Sequence, residues 1–229
     1  MILSRKTNSI KKEENPRCLY NEAELEQILY RFSLKWPSPK GELDYINHFT
    51  LLIAVLLSAQ STDVIVNKAT KSLFDIAETP EKMLSLGEEK IRNYIKTIGI
   101  YRNKAKNIIS LSNILINKFN SKVPQNMEEL MILPGIGRKS ANVILSMAFG
   151  MPTIGVDTHI FRIANRIGLA PGKTPDKVEN SLMKIIPKKH IYHAHYWLVL
   201  HGRYTCKARQ PKCQLCIISD ICKQTQFKK

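Results

Sequence analysis

The chain has 229 residues, 44% of them hydrophobic and 24% charged, which excludes a disordered chain and is enough for one large core or two small ones. It carries 35 Lys and Arg against 19 Asp and Glu, a formal charge of +16, with a pI near 9.7. Such a field repels cationic partners and attracts polyanions, nucleic acid first among them. From Asp157 onward the chain holds 14 basic residues against 4 acidic ones, so the charge is gathered rather than spread as a plain solvating surface.

The first residues, "MILSRKTNSIKKEENPR", contain no long apolar stretch and are not a secretory signal. Glu13 and Glu14 interrupt the basic run, which argues against a transit peptide. Residues 1–20 read as a flexible basic tail. The protein is expected in the cytoplasm, with reduced thiols.

Helical spacing follows. "NEAELEQILYRFSLKW" sets Leu25, Ile28, Leu29 and Phe32 three and four apart. Tyr45–Ala59 includes the most apolar run, "FTLLIAVLLSA", too short to span a bilayer and predicted as a buried core helix. Helices are predicted over Asp63–Ile76, Glu88–Thr97, Asn103–Phe119, Met127–Leu133 and Arg138–Phe149. Further ones are predicted over Asp157–Ile167, Pro175–Ile186 and His190–Gly202. "SAQSTD" and "TPEKM" mark helix starts. No convincing period-two strand interrupts the series, so the fold class is all-α. Short connections imply that helices pack on their sequence neighbours.

"MEELMILPGIGRKSANVI" reads as helix, tight turn, helix. Pro134 ends the first helix, and Gly135 and Gly137 are expected to supply positive φ and close backbone approach. The second helix then begins with outward N–H groups, a site for a DNA phosphate held without sequence readout. Arg138 and Lys139 stand at the positive end of that helix dipole, where cations are disfavoured. The dipole and the neighbouring charge together predict a lowered Lys139 pKa. A lysine so tuned is a Schiff-base nucleophile; a phosphate-binding lysine is the alternative. Asp157, in "GVDTHIFRIANR", begins a helix and suits an N-cap. It could equally move a proton or stabilise a developing sugar cation.

Cys206, Cys213, Cys216 and Cys222 form a C-x6-C-x2-C-x5-C array, a metal site rather than disulfides in a reducing compartment. Spacing alone admits zinc or an iron–sulfur cluster. Lys207, Arg209 and Lys212 add basic side chains there. Cys18 stands apart as a free thiol. "GLAPGKT" lacks one residue of a phosphate-binding P-loop and has no strand before it, so nucleotide binding is rejected there. His190, His193, His195 and His201 read as core or solvent-facing, and Trp197 as core.

The motifs "LLIAVLLSAQSTDV", "YIKTIGIYRNKAKNI", "LPGIGRKSANVIL", "VDTHIFRIANR" and "HGRYTC", with the cysteine array, resemble the endonuclease III family. These are bifunctional DNA glycosylases of the helix–hairpin–helix superfamily. The resemblance runs from about Asn21 to the end. It implies two helical domains: a six-helix domain over 43–151, with the hairpin at 127–146, and a cluster domain made of 21–42 plus 152–229, with its cluster loop at 206–222. DNA would lie in the cleft between them. It implies a [4Fe–4S] cluster on the four cysteines, Lys139 as nucleophile and Asp157 as its partner. Gln60 and Ile100 would fill the gap left by a flipped base; Ile100 stands where the family usually has Leu. Leu133, Gly135, Gly137 and Arg138 would belong to the DNA-binding hairpin. The implied activity is removal of oxidised pyrimidines from duplex DNA and cleavage 3′ to the abasic site, by a monomer without membrane attachment. An adenine-type glycosylase of the same superfamily is disfavoured by Lys139 and by the short stretch after Cys222. A non-catalytic iron–sulfur redox sensor and a zinc-stabilised DNA binder are the readings from other classes.

Overall fold

A computed structural model describes residues 18–224; most of the predicted basic tail lies outside them. Among the described residues there are eleven α-helices and no β-strand, which establishes the all-α class. In chain order these are α1 (Glu22–Lys35), α2 (His48–Ser58), α3 (Asp63–Ile76), α4 (Pro80–Leu86), α5 (Glu88–Ile95) and α6 (Tyr101–Phe119). Then come α7 (Met127–Ile132), α8 (Arg138–Phe149), α9 (Thr158–Arg166), α10 (Pro175–Ile185) and α11 (Lys188–Leu200). The predicted stop at Gly202 is a correction: α11 gives way at His201 to a π-helical turn, His201–Thr205. That widened turn aims Arg203 and Tyr204 back toward the Glu42 loop.

Two separate hydrophobic cores form. The first is built on α2, whose residues Phe49 to Leu57 are all buried. Helices α3, α6 and α8 pack on it, α4 and α5 pack on α6, and α7 packs on α8. The second core joins α1 from the start of the chain to α9, α10 and α11 from its end. Its largest member, Trp197, is fully buried, and its indole N–H donates to the Trp36 carbonyl at 2.9 Å. Tyr20 fastens the same seam: its hydroxyl donates to Ile167 O at 2.9 Å and accepts from the Lys223 N–H at 3.1 Å. Burial raises the pKa of that phenol.

The helix starts obey local chemistry. Asn21 and Glu24 form a reciprocal capping box at 2.9 and 3.0 Å. Asn47 caps α2 by accepting from the Thr50 N–H at 2.9 Å, while the Thr50 hydroxyl accepts from Asn47 N–H at 2.9 Å. The cap explains why α2 starts at His48 rather than at Tyr45, as the apolar spacing predicted. The Asn47 amide also donates to Glu78 O at 3.0 Å, tying α2 to the start of α4. Because this cap anchors the central helix of the first core, Asn47→Ala is expected to cost about 1–2 kcal/mol. A lower urea midpoint would show it, and Asn47→Asp, which keeps the cap but loses the Glu78 bond, should recover part of the loss.

Candidate functional site

The two cores meet along a cleft of about 620 Å³, within the roughly 300–1,000 Å³ range of ligand pockets. Gln60, Lys139 and Val143 line it from the first core, and Asp157, His159 and His195 from the second. Two arginine forks span the seam. Arg138, from the first core, binds Glu179 on α10 through Nη2 at 2.7 Å and Nε at 3.1 Å. Arg203, from the second, pairs with Glu42 and reaches Asp63 at 3.2 Å. Planar guanidinium groups suit such carboxylate pairs.

Lys139 is the second residue of α8, and its neighbour Arg138 is not a bare charge beside it, because Glu179 answers that charge. The Arg138 guanidinium makes its fork with Glu179 at the seam while its side chain stays partly exposed. The start of α8 has no side-chain cap, so its first N–H groups remain available to an anion. Gly137 also departs from prediction. Its φ is −99°, which any residue adopts, and a Cβ there would meet nothing within 4 Å. Positive φ is needed only at Gly135, at 85°, where a Cβ would stand 2.8 Å from Asn107 Nδ2 and 3.1 Å from Leu56 Cδ1. Leu133 is buried in the first core, so its side chain anchors the hairpin from within.

Asp157 does cap α9, accepting from the Ile160 N–H through Oδ1 at 2.8 Å. Among the described residues no hydrogen bond engages its second oxygen. Two residues before Asp157, the chain meets α8 at Gly155. A Cβ there would lie 2.8 Å from the Lys139 carbonyl oxygen and 2.8 Å from Val143 Cγ2. The strap that leads into α9 thus lies flat on the first turn of α8. His195, predicted as core or solvent-facing, is buried and also faces this cleft. Burial pushes its imidazole down to about 4; Asp157 pulls the other way and Lys139 adds to the drop. It is therefore neutral near pH 7, and among the described residues its Nδ1 has no hydrogen-bond partner. Sequence spacing on α11 gave no signal for this, because only the tertiary fold turns that face toward α8.

Gln60 and Ile100 sit at exposed loop tips, both with left-handed backbone, φ 57° and 51°. For a β-branched isoleucine this is a true outlier, costing of order 1–3 kcal/mol. Gly99, beside Ile100, approaches the Gln60 carbonyl, so the two tips are neighbours.

The four clustered cysteines are all free thiols and line one small cavity. Among the described residues no three His, Cys, Asp or Glu side chains converge tightly enough to hold a single ion. The four thiols share one space and are of the ligand type that holds zinc or an iron–sulfur cluster. Burial pushes the Cys216 thiol up, and the neighbouring cysteines add to the rise. Arginines brace the segment. Arg31 donates to Ile217 O at 2.8 Å, Arg162 to Cys206 O at 3.1 Å, and Arg166 to Lys207 O at 2.6 Å. Cys18 is also a free thiol, packed against the second core. Thr174, the end of "GLAPGKT", caps α10 by accepting from the Lys177 N–H, an ordinary helix start.

Gly155→Ala should force the strap off α8, because its obstacle is backbone, which cannot rotate away. Expected are a loss of about 1–3 kcal/mol in urea unfolding and a marked fall in activity. Gly137→Ala, with open space around the new methyl, should stay within about 1 kcal/mol of the parent.

Comparison with known proteins agrees with this geometry. Residues 53–188 match the HhH-GPD superfamily base excision DNA repair proteins. Residues 206–222 match the iron–sulfur binding domain of endonuclease III, and the cofactor that goes with it is a [4Fe–4S] cluster. The chain is 58% identical over 196 residues to an endonuclease III of Rickettsia conorii, covering 86% of this chain and 93% of the relative. It is 54% identical over 202 residues to that of Escherichia coli K12, covering 88% and 96%. A solved endonuclease III trapped as a covalent intermediate with DNA superposes with a TM-score of 0.84 at 43% identity, over 90% of this chain and 97% of that one. A non-covalent endonuclease III–DNA complex matches equally well. A hairpin with an uncapped lysine-bearing helix, a cleft between two helical cores and a four-cysteine segment thus come together in a chain that belongs to the endonuclease III family of DNA glycosylases with abasic-site lyase activity.

Proposed function

We propose that this enzyme removes oxidised pyrimidines from duplex DNA through a Schiff base on Lys139 and then cuts the strand 3′ to the abasic site. The observation that carries this reading is that Lys139 and Asp157, 18 positions apart, line one cleft between the two cores. The two cores then act as the two domains, 43–151 and 21–42 with 152–229, and duplex DNA lies across their seam. The uncapped start of α8, with Gly135 and Gly137 before it, offers N–H donors to a backbone phosphate.

A base within a duplex hides its sugar carbon, so the nucleotide must first swing out into the cleft. Gln60 and Ile100, exposed and adjacent, then occupy the gap. Lys139 Nζ, as the neutral amine, forms a bond to C1′ while the glycosidic electron pair leaves with the base, which takes up a proton. Asp157 stabilises the positive charge that grows on the sugar and carries the proton given up by the nitrogen. Ring opening gives an iminium between Nζ and C1′. Its positive charge acidifies the C2′ proton, and loss of that proton expels the 3′ phosphate. Water then hydrolyses the iminium and frees Lys139. Abasic sites enter at the amine-addition step.

Cys206, Cys213, Cys216 and Cys222 would hold the [4Fe–4S] cluster, whose iron balances four thiolates and orders the segment. Lys207, Arg209 and Lys212 on that segment supply basic groups for phosphate. The enzyme acts as a monomer near the chromosome, in the cytoplasm; among the described residues no helix is long and apolar enough to cross a membrane.

The test is borohydride trapping on a duplex with one thymine glycol. Wild type should yield a covalent complex that Lys139→Gln abolishes. Asp157→Asn retains a good helix cap, so it should melt like the parent while reacting roughly 10²–10⁴-fold more slowly. Cluster-loaded protein that binds the duplex without forming an adduct or cutting the strand would overturn the nucleophile assignment.

A further inference from the structure

One lysine is placed where a charge is costly. Lys104, in the first turns of α6, is 4% exposed. Its ammonium donates to two main-chain carbonyls, Leu57 O at 2.9 Å and Ala59 O at 2.6 Å. Among the described residues no carboxylate pairs with it, and burial lowers its pKa. A methionine or leucine could fill this space without stripping water from a cation, and buried charges are commonly replaced by apolar groups without loss of stability. Packing therefore does not account for a lysine here.

The acceptors identify the task. Leu57 lies in the last turn of α2 and Ala59 just past its end, where carbonyls lose their intrahelical partners. The next residue is Gln60, in left-handed backbone. At the other side, the Lys104 N–H donates to Ile100 O at 3.1 Å, closing the first turn of α6 directly after the second left-handed tip. One residue thus holds the base of both tips, by its side chain on the Gln60 side and by its main chain on the Ile100 side. Neither tip has a side-chain hydrogen bond of its own among the described residues, and each is held in a conformation that neighbours must enforce.

We propose that Lys104 is the positioning residue for Gln60 and Ile100: its ammonium clamps the end of α2 to α6, so that the two tips enter the duplex as one rigid wedge. The inference rests on the reading that these tips fill the space of the flipped nucleotide. Lys104 itself touches neither DNA nor the reacting atoms. Its effect should therefore appear only where a stacked base pair has to be opened.

The experiment compares single-turnover borohydride trapping on two substrates, a duplex with one thymine glycol and a single-stranded oligonucleotide with one abasic site. The variants are Lys104→Met, Lys104→Gln and the double variant Gln60→Ala with Ile100→Ala. For Lys104→Met the duplex-to-single-strand rate ratio should fall about tenfold or more, since misplacement by about 1 Å can cost 10²-fold. If Lys104→Met fails to fold, Lys104→Gln, which keeps an uncharged NH₂ donor group, gives the same comparison with a smaller fall. An unchanged ratio in a folded variant, whether both rates persist or both drop together, would overturn the assignment. If the double variant itself leaves the ratio unchanged, the wedge reading is wrong and the role of Lys104 falls with it. A changed ratio in the double variant alone would reject Lys104 and keep the wedge.

Discussion

The carbonyl of Lys139 and the α-carbon of Gly155 approach so closely that no side chain fits between them. That contact turns two helix bundles into one enzyme. The strap that leaves the first core after α8 lies back along the helix it has just left, then enters α9 at Asp157. Ile154 and Val156 on this strap point into the second core, and the glycine between them faces α8. Alternation along an extended strap thus settles which core owns each side chain. The cleft then has Lys139 on one wall and Asp157, the cap of α9, with the neutral His195 imidazole, on the other.

Holding two cores in fixed relation needs directional contacts as well as apolar area. The chain uses arginine for this. Arg138 and Arg203 cross the seam in opposite senses, and Arg31, Arg162 and Arg166 bind carbonyls of the cysteine segment. A planar fork fixes orientation as well as distance. Lysines supply 25 of the 35 basic residues, so most of the net positive field comes from point charges that water hydrates well. Such groups steer a polyanion at long range and yield their solvent shell late. Lys104 differs in being buried, with its ammonium donating to two main-chain carbonyls.

Left-handed backbone marks both tips that flank the cleft side of the first core, as it also marks Asn120 and Ser121 after α6. Gln60 and Ile100 both stand in left-handed backbone at exposed ends of buried helices. A glycine would relieve each of them, yet neither position has one. A side chain that must project outward from a tight turn cannot be removed to ease the turn. Order surrounds both: α2 is buried from Phe49 to Leu57 below one tip, and behind the other the Lys104 N–H closes the first turn of α6 on Ile100 O at 3.1 Å.

Much was legible without coordinates. Apolar spacing located the helices, and their starts followed from Asn, Thr, Asp and Pro, because those signals act over three or four residues. The turn before Arg138 and the cysteine spacing are equally local. What spacing could not reveal is which helix faces meet. His195 lies on an α11 face that spacing reads as plain core, Arg138 finds Glu179 41 residues away, and Gly155 and Lys104 carry no motif at all. Positive φ was assigned to two glycines, whereas the fold needs it at one and opens the other to the outside. The sequence by itself therefore determined the helices, the hairpin and the grouping of four cysteines, through hydrogen bonds, periodicities and spacings that close within a few residues. Only the tertiary structure decided the cleft, because that depends on close contact between residues far apart in the chain, where a single methyl group at Gly155 would prevent it.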